Sequence, residues 1–197
     1  MQFTTLLTFL FLFFIGAWKK ARGSLPNLSE QQYVDCSGRY GNYGCRGGWY
    51  QSCWRYAMSA GGNMAESAYR YTARQGRCRF NRGQVVATVS SFHDTQPGNE
   101  NDLTNALARV GPVSVAIDAS PRSFMRYRGG VHYAPGCSSS RLSHAVLAVG
   151  YGSEGGRDYY LVKNSWGTRW GSGGYIKMAR NMRNNCGIAT KPSYPIV

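Results

Sequence analysis

The sequence predicts a turn-rich α+β fold, on three observations. Helical patterns are short and lie before Gly111. Alternating apolar residues typical of strands take over after it. Glycine accounts for 25 of the 197 residues, which disfavours a helical bundle. A hydrophobic fraction of 43% and an aromatic fraction of 14% are enough for a packed core.

The chain opens on an apolar run, Leu6 to Trp18. This is shorter than the roughly 20 residues of a membrane span but has the length of a signal-peptide core. Gly16-Ala17 offers small residues for cleavage. Lys19, Lys20 and Arg22 follow the run and no Lys or Arg precedes it, an order that also suits an uncleaved anchor. A leader joined to a foreign segment by splicing or a faulty gene model is a third reading. The expectation is a signal peptide or hydrophobic leader at 1–22, with no stable membrane span.

The first helix is predicted to start at Leu28-Ser29-Glu30-Gln31-Gln32-Tyr33. Ser29 is its N-cap, Gln32 completes a capping box, and Leu28 with Tyr33 forms a hydrophobic staple. Asn27-Leu28-Ser29 is also a glycosylation sequon. The helix stops near Cys36, ahead of the glycine-rich stretch Gly38 to Gly48. A second helix runs from Trp49 to Met58 and is closed by Gly61-Gly62. A third runs from Asn99, its cap, to Arg109, with Gly111-Pro112 as its stop. Strands are predicted at Val113 to Ile117, where Val113, Val115 and Ile117 alternate with smaller or polar residues. Others follow at Ala145 to Val149, Tyr159 to Val162 and Tyr175 to Met178.

The formal charge of +14 comes mostly from arginine. So basic a chain is suited to anionic surfaces, and anionic glycans are one candidate partner. The arginines are scattered and no nucleic-acid motif accompanies them, so nucleic acid is not expected and a basic solvated surface is the plain reading. The cysteines are Cys36, Cys45, Cys53, Cys78, Cys137 and Cys186, with no C-x-x-C pair. His93, His132 and His144 show no zinc spacing, so no metal and no cofactor are expected. Spread cysteines behind a hydrophobic leader suggest disulfides in an oxidising compartment.

Chemistry concentrates in two short blocks, Ser143-His144-Ala145-Val146-Leu147 and Val162-Lys163-Asn164-Ser165-Trp166-Gly167. A histidine at the mouth of an apolar strand is by itself more often structural, and an asparagine alone means little. Together they suggest an amide oxygen that accepts from one imidazole nitrogen and frees the other to manage a proton. Trp166 could shield that hydrogen bond from water.

These blocks, with Gly44-Cys45-Arg46-Gly47-Gly48, resemble the papain family of cysteine proteases. Gly111-Pro112-Val113-Ser114-Val115, Asn185-Cys186-Gly187-Ile188-Ala189 and Pro192-Ser193-Tyr194-Pro195 place the chain nearest its cathepsin L-like branch. The resemblance runs from about Ser24 to Val197 and implies a papain-like two-lobe fold. A helical lobe would span about 23–111 and a β-barrel lobe about 112–197. It makes His144 the general base and acid, and Asn164 its orienter. Gly47, Gly48, Trp49, Ala116, Leu142, Ser143, Trp166 and Lys191 would contact substrate. Trp49, Ala116, Leu142 and Lys191 fall where the family lines its main specificity pocket, and Lys191 would favour an acidic side chain. Implied partners are peptide or protein substrates and cystatin-like inhibitors, in a lysosome or outside the cell.

One departure matters. The family carries its nucleophile in a Gln–Cys–Cys-Trp block upstream of the segment that is Leu25 to Gln31 here, and this chain has no cysteine before Cys36. The nucleophilic Cys, the oxyanion glutamine and the N-terminal part of the helical lobe are thus expected to be missing. Losing one oxyanion donor costs about 3 kcal/mol, and losing the thiol removes the covalent route. The chain is therefore expected to be inactive as written and marginally stable. Ser52-Cys53-Trp54 resembles the tripeptide around the nucleophile, yet Cys53 reads as a buried thiol or disulfide partner. The resemblance also implies disulfides Cys36–Cys78 and Cys137–Cys186. It leaves Cys45 over, free or bridged to Cys53 if their Cα atoms lie within about 7 Å. Three readings follow: an incomplete cathepsin L-like endopeptidase, a secreted pseudoprotease that binds peptides or inhibitors, and a basic adhesion module.

Overall fold

The computed structural model describes residues 18–20 and 22–197. Most of the leader expected at 1–22 therefore lies outside the described residues. Among the described residues no helix is long and apolar enough to cross a membrane. The fold mixes helices and strands, as the α+β expectation requires, and divides into two compact units. Among the described residues, the first runs up to His93 and takes in Tyr194–Val197, and the second is Asp94–Ser193.

The first unit is built on helices α1 (Glu30–Cys36) and α2 (Tyr50–Ala60). Ser29 caps α1, its hydroxyl accepting from the Gln32 N–H at 3.0 Å. The reciprocal half of the capping box is not made. Gln32 instead accepts from the Met64 N–H and donates to Gly62 and Tyr56, while the Ser29 N–H donates to the Met64 carbonyl. A buried amide here gains more from long-range backbone partners than from its own helix end. Helix α2 buries Tyr50, Cys53, Trp54 and Ala57, the i, i+3, i+4, i+7 stripe of an amphipathic helix. Gly61 ends it in the left-handed region at φ 90°, and the N–H groups of Gly61 and Gly62 both satisfy the Ala57 carbonyl. A short antiparallel pair, β1 (Asn63–Met64) with β2 (Val85–Ala87), brackets a long arginine-rich loop. That loop is tied to α1 by the Cys36–Cys78 disulfide. Strand β3 (Ser91–Asp94) closes this part of the chain.

The second unit begins with α3 (Glu100–Arg109), capped by Asn99, whose side chain accepts from the Asp102 N–H at 3.1 Å. Leu103, Ala106 and Leu107 form its buried stripe. Its sheet runs in the order β4 (Val113–Ile117), β6 (His144–Glu154), β7 (Arg157–Lys163), β8 (Tyr175–Ala179), β5 (Val131–His132). Neighbours are antiparallel except β5 and β8. The core includes Val113, Val115, Ile117, Val146, Leu147, Tyr160, Val162, Ile176 and Met178. The alternation read in β4 does not mark a solvent face: all five residues are buried, Ser114 and Ala116 included. Small side chains fit a strand covered on both faces. Cys137 and Cys186 form the second disulfide.

Candidate active site

His144 opens β6, and its backbone is placed by pairing with β4, where it sits opposite Ile117. The preceding residue, Ser143, fixes the approach. Its N–H donates to the Ile117 carbonyl and its hydroxyl accepts from the Ala119 N–H. Asn164 follows β7 and is 3% exposed, its N–H donating to Gly174. The two side chains meet with His144 Nε2 3.0 Å from Asn164 Oδ1.

That oxygen also accepts from the Ser165 N–H at 2.8 Å. An N–H at the same atom identifies it as the amide oxygen rather than the nitrogen. Nε2 must then carry the proton, and Nδ1 keeps the lone pair. The pair therefore orients the imidazole and selects the tautomer in which Nδ1 can accept a proton. Burial pushes the His144 pKa below its ordinary value, and the bond from Asn164 partly opposes this. The imidazole is thus neutral near pH 7, with Nδ1 able to accept a proton.

An aromatic floor holds the ring. Trp166 lies tilted against His144 with centroids 5.2 Å apart. Phe124, fully buried on the short helix α4 (Arg122–Met125), meets His144, Trp166 and Trp170 within 6.2 Å. Trp170 packs on Trp166 and donates its indole N–H to the Met125 carbonyl. The sequence reading found Trp166 and missed Phe124 and Trp170. The four-residue spacing of Trp166 and Trp170 was a usable signal, whereas Phe124 had none.

The other second-unit candidates are dispersed along the same scaffold. Ala116 is buried in β4 opposite Ala145, one register step from His144. Leu142 is half-buried against Gly187, whose positive φ of 74° and close approach to the Leu142 side chain exclude a Cβ. Lys191 is exposed.

Gly47, Gly48 and Trp49 belong to the first unit. Gly47 adopts φ 117°, a region open to glycine, and its carbonyl accepts from the Tyr43 N–H at 2.7 Å. Gly48 is required for a different reason: a Cβ there would lie 1.9 Å from Asn42 Oδ1. That oxygen accepts from the Trp49 N–H at 2.8 Å. Asn42 Nδ2 donates to Ser37 Oγ at 2.9 Å and to Cys53 Sγ at 3.0 Å. Asn42, 7% exposed, is thus the post to which the glycine segment is tied. It was not singled out in the sequence.

Cys45 and Cys53 do not bridge each other: Cys45 is exposed and Cys53 buried, both as free thiols. Burial raises the Cys53 thiol to a pKa of about 12 against the lowering bonds from Asn42 and Ser37. It is therefore a protonated packing residue near neutral pH. Among the described residues no cluster of His, Cys, Asp and Glu could hold a metal.

The family profile described as papain family cysteine protease matches residues 14–196. The chain belongs to the papain family of cysteine proteases. Within that family it is 57% identical over 176 residues to digestive cysteine proteinase 1 of Homarus americanus, covering 89% of this chain and 55% of that protein. Identity to cathepsin L of Sarcophaga peregrina is 52% over 183 residues, covering 92% of this chain and 54% of the relative. The structure of digestive procathepsin L 3 from Tenebrio molitor larval midgut matches with a TM-score of 0.87 at 47% identity, covering 95% of this chain and 62% of that one. Bromelain from Ananas comosus in complex with the E64 inhibitor matches at 0.88 and 36%, covering 97% and 87%. The fold is papain-like. The chain spans about half the length of these curated relatives.

Proposed function

We propose that the chain carries the base and the substrate groove of a cathepsin L-like cysteine endopeptidase, and that the 197-residue polypeptide does not itself cleave peptides. One observation carries this: Asn164 orients the His144 imidazole so that Nδ1 can accept a proton, while five of the six cysteines are unavailable as its nucleophile. Four are in disulfides and Cys53 is buried and protonated. Cys45, by family resemblance, belongs to a disulfide with a cysteine of the nucleophile-bearing block.

In the complete reaction Nδ1 takes the thiol proton, the thiolate attacks the scissile carbonyl, and the imidazolium returns the proton to the leaving amine. Water then cleaves the acyl-enzyme, with His144 again taking the proton. Gly47 and Gly48, lacking side chains, pair with the peptide backbone. Trp49, Ala116, Leu142, Ser143, Trp166 and Lys191 complete the contacts. Lys191 favours an acidic substrate side chain. The two disulfides support a lysosomal or extracellular setting.

The test has two arms. The purified chain should neither hydrolyse a fluorogenic dipeptide nor take up an E64-type epoxide. Turnover that alkylation abolishes would sink the reading. Joining a Gln–Cys–Cys-Trp block ahead of Ser24 should restore turnover, and His144→Ala should abolish it again. In the restored enzyme Lys191→Ala should lower the preference for acidic over apolar peptides, and an unchanged preference ends that assignment.

A second reading has its own support. Asn42 holds Gly47–Trp49 in place without any catalytic thiol. The polypeptide then binds peptides or cystatin-like inhibitors without turnover, which calorimetry with a cystatin would register.

A further inference from the structure

We propose that the loop from Arg70 to Arg82 is a binding surface for a sulfated glycosaminoglycan. Arg70, Arg74, Arg77, Arg79 and Arg82 all lie on this loop and all are exposed. No Asp or Glu occurs between Glu66 and Asp94. In sequence these arginines form no run, because they recur at every second to fourth position. The fold gathers them on one cross-braced loop.

The bracing is extensive. Cys78 is bonded to Cys36 of α1. Gln31 of the same helix accepts from the Thr72 N–H and donates to the Arg74 carbonyl. Asp35 accepts from the Gly76 N–H, and the Tyr69 hydroxyl accepts from the Arg79 N–H. A loop tied at so many points loses little conformational freedom when a ligand lands on it.

Its charge is only partly compensated. Two carboxylates reach the loop, Asp35 and Glu66; Asp35 accepts from Gln31, Gly76 and Tyr69 and Glu66 Oε1 from the Tyr71 N–H, and among the described residues neither forms an ion pair with a loop arginine. The ion pairs found among the described residues, Lys177–Glu154 and Arg180–Asp158, are in the second unit. The turn carrying exposed Arg46 abuts the loop, since a Cβ on Gly44 would strike Gln75.

Guanidinium groups select oxyanions because their planar fork meets two oxygens at once and is weakly hydrated. Two observations favour a sulfated glycan over a nucleic acid. The loop offers no stacking platform: Tyr69 is buried beneath the Arg79 guanidinium, 4.6 Å away, and Tyr71 and Phe80 are half-buried. The disulfide that braces it persists in oxidising compartments, where the abundant polyanions are sulfated polysaccharides.

The experiment compares two variants of equal charge on heparin. One changes the five loop arginines to Gln. The other changes Arg109, Arg126, Arg141, Arg157 and Arg183, all exposed and dispersed over the second unit, to Gln. The loop variant should lose affinity roughly tenfold or more, with the dispersed variant within about threefold of the parent. Equal losses would reduce the effect to net charge and overturn the proposal. So would competition by single-stranded DNA as effective as that by heparin of equal charge. On the unaltered chain, heparin should slow tryptic cleavage after the loop arginines more than after Arg157 or Arg183. Uniform slowing refutes a localised site without requiring any variant to fold. None of these readouts depends on peptidase activity.

Discussion

Gly48→Ala should destabilise the chain through one identifiable collision. The new methyl would sit 1.9 Å from Asn42 Oδ1 and 2.5 Å from its Cγ. To reach ordinary contact the amide must retreat by about 1.5 Å, which breaks its bonds to Trp49, Ser37 and Cys53. Each such bond contributes about 0.5–1.5 kcal/mol net, and a stranded donor costs more, so the loss is roughly 2–4 kcal/mol. Against a domain stability of about 5–15 kcal/mol this is large. Asn42→Gly removes the same bonds and the obstacle, including a Cβ that would itself lie 2.9 Å from the methyl. In that background Gly48→Ala should be neutral or slightly stabilising, since the residue is not held at positive φ and alanine restricts the unfolded chain. The assay is urea unfolding followed by tryptophan fluorescence, with all four members of the cycle measured. A midpoint shift of about 1–2 M for the single variant corresponds to the estimated loss. Additivity of the two changes within about 0.5 kcal/mol would refute the argument that Asn42 is what Gly48 accommodates.

Other outcomes follow from the same geometry. Asn164→Asp replaces a neutral acceptor with a carboxylate, so the His144 pKa should rise by about 1–3 units, read from imidazole nitrogen shifts by NMR; no rise would mean that the Nε2–Oδ1 contact is not made in solution. His144 and His132 both have pKa values lowered by burial. The unfolded chain therefore binds more protons in the window below the ordinary histidine value of about 6.5. Their contribution should be complete above that pH and fall away as pH drops to their folded values. His132→Phe, in a niche already lined by Phe124 and Tyr127, should flatten part of this slope in urea titrations at fixed pH. A thiol reagent should count one fast group, Cys45, with Cys53 reacting only on unfolding; two fast groups would contradict the burial of Cys53.

Much of the local structure was legible because its causes are local. The caps at Ser29 and Asn99, the glycine stop at Gly61 and the strand holding Ala145 to Val149 each depend on residues a few positions apart. What stayed hidden depends on partners distant in sequence. Gln32 looks like half of a capping box, but its amide serves Met64 and Gly62. The alternation of Val113, Val115 and Ile117 with smaller residues does not reveal that all five residues of β4 are buried. The meeting of His144 with Asn164 could be read from their blocks. Asn42 could not, because its importance lies in touching Gly48, Trp49 and Cys53 at once. Phe124 had no visible role until its short helix was seen against Trp166 and Trp170.

The supports of His144 and of the glycine segment are separate. The contacts that orient His144 come from Asn164, Ser143, Phe124 and Trp166, all in the second unit. Those that shape Gly47 to Trp49 come from Tyr43, Asn42 and, through Asn42, Ser37 and Cys53, all in the first. Neither set contains a catalytic thiol. The tautomer of the base is chosen by an amide and a backbone N–H, and the backbone of the glycine segment by a buried asparagine. On the proposed reading, a nucleophile adds reactivity to parts whose geometry is already set by contacts within their own units. That separation is why restoring turnover with a thiol-bearing block tests the catalytic reading, whereas inhibitor binding to the unmodified chain tests the groove.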